Sequence, residues 1–88
     1  MDGSAKNIEF RFGWSRLHTA SSQSLSQTQL VIESRVDVNL QTDYGVTALM
    51  IASALPDLQI VKYLLSIGAN KNLRTTKGQA AYDFLIFK

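Results

Sequence analysis

The first constraint on this chain is a period. Gly45 and Gly78 stand 33 residues apart, and a weaker copy of the segment between them begins at Gly13 of the 88-residue sequence. From Gly45 onward, Thr47 takes a helix-cap position and Ala48-Leu49-Met50-Ile51-Ala52 follows as a short apolar helix. Pro56-Asp57 breaks the pattern. Leu58, Val61, Leu64 and Leu65, with Ile60 and Tyr63 beside them, then recur at spacings of three and four, which predicts a second helix. Gly68 closes it where a helix end favours a left-handed residue, and Asn70 to Lys77 is polar with turn character. A two-helix unit of this length cannot bury its apolar face alone and must lean on its neighbour. Burial is therefore expected along a line of units.

The unit resembles an ankyrin repeat. The pattern Gly-x-Thr-Pro-Leu-His-x-Ala is matched by Gly45-Val46-Thr47-Ala48-Leu49-Met50-Ile51-Ala52, and the ending Leu-Leu-x-x-Gly-Ala by Leu64-Leu65-Ser66-Ile67-Gly68-Ala69. Ala48 replaces the usual Pro and Met50 the usual His, which weakens the cap and its hydrogen bonding but keeps the apolar face. The resemblance implies an all-α solenoid of stacked helix-turn-helix units joined by β-turn or hairpin loops.

On this reading residues 1–12 are an extended lead-in, since Ile8, Phe10 and Phe12 alternate with Glu9 and Arg11. Residues 13–44 form a first repeat, 45–77 a second and 78–88 a partial terminal one. In the first, Gly13-Trp14-Ser15-Arg16-Leu17-His18-Thr19-Ala20 keeps the Leu-His-x-Ala portion, and Val36-Asp37-Val38-Asn39 returns the turn. Gly13 and Gly45 lie one residue short of the full period, and the deficit is expected in the loop at Ser22 to Ser24. Gln27 and Thr28 occupy the places of Ile60 and Val61, which should make that helix the looser one. Arg35 falls on the Gly68 place, so either the helix ends differently or Arg35 carries left-handed strain of about 1 kcal/mol. The last unit, Gln79-Ala80-Ala81-Tyr82-Asp83-Phe84-Leu85, ends in the apolar run Phe84-Leu85-Ile86-Phe87. That end is expected to continue into a longer protein, fold back as a cap, or meet a partner.

Composition narrows the function classes. Nine Lys or Arg against seven Asp or Glu give a net charge of +2 with no basic run, so nucleic-acid binding through Arg11, Arg16, Arg74 and Lys77 is the weakest reading. Without cysteine, disulfides and thiolate metal sites are excluded. No apolar run approaches the roughly 18 to 20 residues of a membrane span, and the first residues lack a signal-peptide core, so a cytoplasmic or nuclear location is expected. His18 is the only histidine, and the resemblance makes it the histidine that ties neighbouring turns together. The carboxylates show no local pairing for acid–base work, and the five glycines form no phosphate loop. No catalytic residue, cofactor or metal ligand is expected.

What the resemblance does imply is a protein-binding face on the turn tips and the exposed side of each first helix. Carried over, these places are Trp14 in the first unit, Asp43, Tyr44, Val46, Ala54 and Leu55 in the second, and Thr76, Lys77 and Gln79 in the third. Trp14 and Tyr44 offer large rings with one polar edge, which interface centres favour, although Phe10 or Phe12 packing over Trp14 would hide it. The expected function is a non-catalytic protein–protein interaction module. The alternative is a structural or assembly segment that associates through Phe84, Leu85, Ile86 and Phe87.

Overall fold

The computed structural model describes residues 11–85, leaving residues 1–10 of the lead-in and 86–88, with Ile86 and Phe87, outside. Arg11–Gly13 is a 3-10 turn. Five α-helices follow: α1 Arg16–Ser21, α2 Leu25–Glu33, α3 Ala48–Ala54, α4 Leu58–Ser66 and α5 Ala81–Phe84. Among the described residues there is no strand. Phe12, expected to be extended, instead sits at φ 59 inside the turn; the rest of the expected extended lead-in, residues 1–10, lies outside the described residues.

Four of the five helices start on a short polar residue, Ser15, Ser24, Thr47 or Asp57, suited to orphan N–H donors, while α5 starts on Ala80. Ser24 Oγ accepts from the Gln27 N–H at 3.2 Å and Thr47 Oγ1 from the Met50 N–H at 3.2 Å. Asp57 Oδ1 accepts from the N–H groups of Gln59 and Ile60 at 3.1 and 3.2 Å. At α1, α3 and α5 the third helical residue also reaches back to the cap backbone. The Ser15 N–H donates to His18 Nδ1 at 3.0 Å, the Thr47 N–H to Met50 Sδ at 3.4 Å, and the Ala80 N–H to Asp83 Oδ2 at 2.8 Å. Met50 thus keeps the histidine's local role through a weaker acceptor.

Leu17, Ala48, Leu49, Met50, Ala52, Ile60, Leu64 and Ala81 form one buried cluster, with Val31 packed against it. It runs through all three units, as stacking demands. α1 packs on α3 and α3 on α5, while α2 packs on α4. α2 is the less buried second helix: Thr28 alone is buried there, whereas α4 buries Ile60 and Leu64. Thr28 is nonetheless well accommodated, its hydroxyl donating to the Ser24 carbonyl at 2.8 Å and the Ala20 carbonyl at 3.2 Å.

The missing residue of the first repeat is not in the loop. Residues 22–24 and 55–57 are loops of equal length, and α1 is one residue shorter than α3. Ser22 Oγ donates to the Thr19 carbonyl at 2.6 Å, closing α1 early. Arg35 does carry the strain: it stands at φ 65 where Gly68 stands at φ 100.

Candidate partner-binding face

The turn tips are built by two threonines one repeat apart. Thr42 Oγ1 accepts from the Tyr44 and Val46 N–H groups at 3.2 and 3.1 Å. Thr75 Oγ1 accepts from the Lys77 and Gln79 N–H groups, both at 3.2 Å. In each tip the threonine N–H also donates across the turn, Thr42 to the Val46 carbonyl at 2.9 Å and Thr75 to the Gln79 carbonyl at 2.8 Å. These bonds hold the tips without help from a partner.

Neighbouring tips are then tied in register. The Asp43 N–H donates to the Phe12 carbonyl at 2.7 Å and the Thr76 N–H to the Tyr44 carbonyl at 2.9 Å. Gln41 Nε2 donates to the Gly45 and Arg74 carbonyls at 3.0 and 3.1 Å. The approach is close enough to require glycine: a Cβ on Gly45 would lie 2.8 Å from Thr75 Cα and 2.9 Å from the Arg74 oxygen.

His18 makes the deepest tie between units. Its Nε2 lies 2.8 Å from the Val46 carbonyl, which can only accept, so Nε2 carries the proton. Nδ1 then accepts from both the Ser15 N–H and the Ser15 hydroxyl. Burial lowers the His18 pKa below its ordinary 6.5, against the opposing effect of its backbone hydrogen bonds. The ring is therefore held neutral, as a positional strut between repeats. Among the described residues no group of three or more His, Asp or Glu side chains is placed to hold a metal.

The expected face is partly gathered. Tyr44, Val46, Thr76, Lys77 and Gln79 line one groove of about 340 Å³ together with Thr75 and Phe84. Asp43, Ala54 and Leu55 are exposed but lie off that groove. Trp14 is half-buried, its Nε1 donating to Thr19 Oγ1 at 2.7 Å and its ring 5.2 Å from that of His18. The ring beside Tyr44 is that of Phe12, 6.1 Å away. The tip hydrogen bonds give the reason, since they make Phe12, Tyr44 and Lys77 successive counterparts and set Trp14 level with Val46 and Gln79. Thr75 and Phe84 were missed; Thr75 was readable as the counterpart of Thr42 one period earlier. Of the proposed assembly residues, Phe84 and Leu85 are half-buried, and Ile86 and Phe87 lie outside the described residues.

A stack of helix pairs with hydrogen-bonded tips and one continuous buried seam defines an ankyrin-repeat protein. A family profile described as ankyrin repeats in three copies matches residues 2–75, and the chain belongs to that family. Members are generally non-catalytic interaction modules that bind protein partners. The chain is 40% identical over 68 residues, 76% of its own length, to the rat protein named Ankyrin repeat and SAM domain-containing protein 6 (Rattus norvegicus), and covers 8% of it. It is 41% identical over 61 residues, 68% of its length, to human Ankyrin repeat domain-containing protein 40 (Homo sapiens), and covers 17% of it. The chain thus spans less than a fifth of the relatives it matches. No helix among the described residues is long and apolar enough to cross a membrane.

Proposed function

We propose that this chain is a docking module that holds a segment of a partner protein against the turn tips, in the groove lined by Tyr44, Val46, Thr75, Thr76, Lys77, Gln79 and Phe84. The observation that carries this reading is the pairing of a tip whose backbone is satisfied internally with a Tyr44 ring left 58% exposed. A preformed tip loses little freedom on binding, so ring burial is available for affinity. Lys77 is exposed at the same groove and offers a cation to an acidic neighbour of the anchored side chain.

Site-specific photo-crosslinking tests this in cells. A photoreactive phenylalanine analogue at position 44 is expected to yield a discrete protein adduct, competed by excess unlabelled chain and lost with Lys77→Glu. The same probe at the exposed Glu33 position, on α2, is expected to yield none. Equal labelling from both positions would reject the groove as the docking site.

A further inference from the structure

Of the hydroxyl groups at the turn tips, one has no structural duty. Thr42 and Thr75 use theirs to accept from tip N–H groups. The exposed Ser22 and Ser66 turn theirs back on the Thr19 and Tyr63 carbonyls. Thr76 differs from all of these. It is exposed and lies in a turn outside any helix, and its hydroxyl makes no hydrogen bond among the described residues. Only its N–H is engaged, donating to the Tyr44 carbonyl. It lines the tip groove beside Tyr44 and Lys77.

The upstream tip shows what this place tolerates. Thr42-Asp43-Tyr44-Gly45 and Thr75-Thr76-Lys77-Gly78 are equivalent, one period apart, so Asp43 holds the place of Thr76. Asp43 is exposed although its tip is bonded on both sides, to the Phe12 carbonyl through its own N–H and to the Thr76 N–H through the Tyr44 carbonyl. The first tip thus carries a carboxylate without losing its bonds, and the exposure of this place belongs to the tip itself. Around Thr76 the charges are of the other sign. Residues 58–82 contain no Asp or Glu, but they include Lys62, Lys71, Arg74 and Lys77. Arg74 leans across the tip, its Nη1 donating to the Gly78 carbonyl at 2.8 Å.

We propose that Thr76 is a phosphorylation site for a serine/threonine kinase that reads basic residues around its acceptor, and that the phosphate closes the tip groove to an acidic partner segment. The second half rests on the docking reading above. Charge pattern selects the kinase class. An acid-directed kinase has no carboxylate to read here, and a proline-directed one needs a following proline, whereas Pro56 is the only proline. In the transfer, Thr76 Oγ1 attacks the γ-phosphorus of the nucleoside triphosphate held by the kinase. The new O–P bond forms as the bond from that phosphorus to the β–γ bridging oxygen breaks; the diphosphate leaves, and the hydroxyl proton passes to the catalytic carboxylate of the kinase. The product carries a charge of about −1.5 to −2, enough to offset Arg74 and Lys77 together. Lys77 then pairs within its own chain, and an acidic partner residue meets like charge.

The test treats the 88-residue chain with the catalytic domain of an arginine-directed serine/threonine kinase and magnesium ATP. Mass spectrometry with fragmentation between Thr75 and Thr76 locates the acceptor. Phosphate is expected at Thr76, lost with Thr76→Ala and slowed by Arg74→Gln, while an acid-directed kinase leaves the tip unmodified. No transfer, or transfer confined to Thr75 or the helix serines, would overturn the site. Helix content by circular dichroism should survive phosphorylation, as the Asp43 tip indicates; its loss would overturn the proposal too. The gating is read from the photoreactive probe at position 44, added in lysate with phosphatase inhibitors. The adduct should disappear when the chain is phosphorylated, return when the chain is first dephosphorylated, and persist in kinase-treated Thr76→Ala. An adduct that survives phosphorylation overturns the gating. No adduct from the untreated chain removes the docking reading itself, and the gating with it.

Discussion

At the scale of single residues, His18 and Ser21 show how differently two buried polar side chains behave. His18 has an acceptor for its one proton and donors for its free nitrogen. A second proton on Nδ1 would face the Ser15 N–H, and burial already disfavours the charge. Its folded pKa lies below 6.5, so as pH falls from 6.5 the unfolded chain takes up a proton that the folded chain refuses. Stability from this residue is complete above 6.5 and is lost on the acid side. His18→Met, which copies what the second repeat carries, should cost about 1 kcal/mol at neutral pH through the lost bond to the Val46 carbonyl. It should also flatten the stability profile just below pH 6.5; urea titrations at several pH values measure both. Ser21 is the opposite case, a fully buried hydroxyl without a hydrogen-bond partner. Its counterpart Ser53 donates to the Leu49 carbonyl at 2.7 Å. Ser21→Ala should therefore be neutral or raise the melting temperature, while Ser53→Ala should lose about 1 kcal/mol. His18 as a strut was legible from Leu-His-x-Ala, but the orphaned Ser21 hydroxyl was not, because both serines occupy the same sequence place while Ser21 ends its helix and Ser53 does not.

At the scale of elements, the helix ends and tips decide how well the units hold. Arg35 and Gly68 occupy one structural place, and both are left-handed. Arg35→Gly should stabilise the first repeat by about 0.5–1 kcal/mol by removing the Cβ strain, seen as a higher urea midpoint with unchanged slope. The two glycines of the second repeat separate conformation from contact. A Cβ on Gly68 meets nothing within 4 Å, whereas one on Gly45 strikes the backbone of the next tip. Gly68→Ala should cost about 1 kcal/mol. Gly45→Ala should cost more and shift the amide resonances of Arg74 and Thr75, because the tips must separate. The stacked helices were readable from the period and apolar spacing, since both follow from helix geometry. The groove was only half readable: Trp14 and Tyr44 both offer a large ring with one polar edge, but the tip register is set by backbone bonds, which make Phe12 the counterpart of Tyr44. The short first helix was likewise hidden, because a one-residue deficit between two glycines does not say which segment absorbs it.

At the scale of the whole molecule, stability comes from neighbour on neighbour along an elongated body of 43 × 28 × 24 Å. In the middle pair, α3 is packed from both sides, against α1 and α5, and α4 packs against α2 and α3. The last helix is only four residues long, with Ala81 its one buried residue. A chain of this size has a total stability on the order of 4–13 kcal/mol. Removing a fully buried side chain from the middle takes away a large share of that. Ile60→Ala should cost about 2–5 kcal/mol, while Leu30→Ala, at a site 57% exposed, should stay within about 0.5 kcal/mol. Native-state hydrogen exchange tests the linear arrangement directly. Amides of α3 and α4 are expected to exchange slowest, those of α2 faster because it buries Thr28 alone, and those of α5 fastest. In Ile60→Ala, protection should fall most in α4 and in the two helices that touch it. Equal protection across α2, α4 and α5, with a uniform loss on substitution, would instead describe a body organised about one centre, and the stacked-unit account would fail.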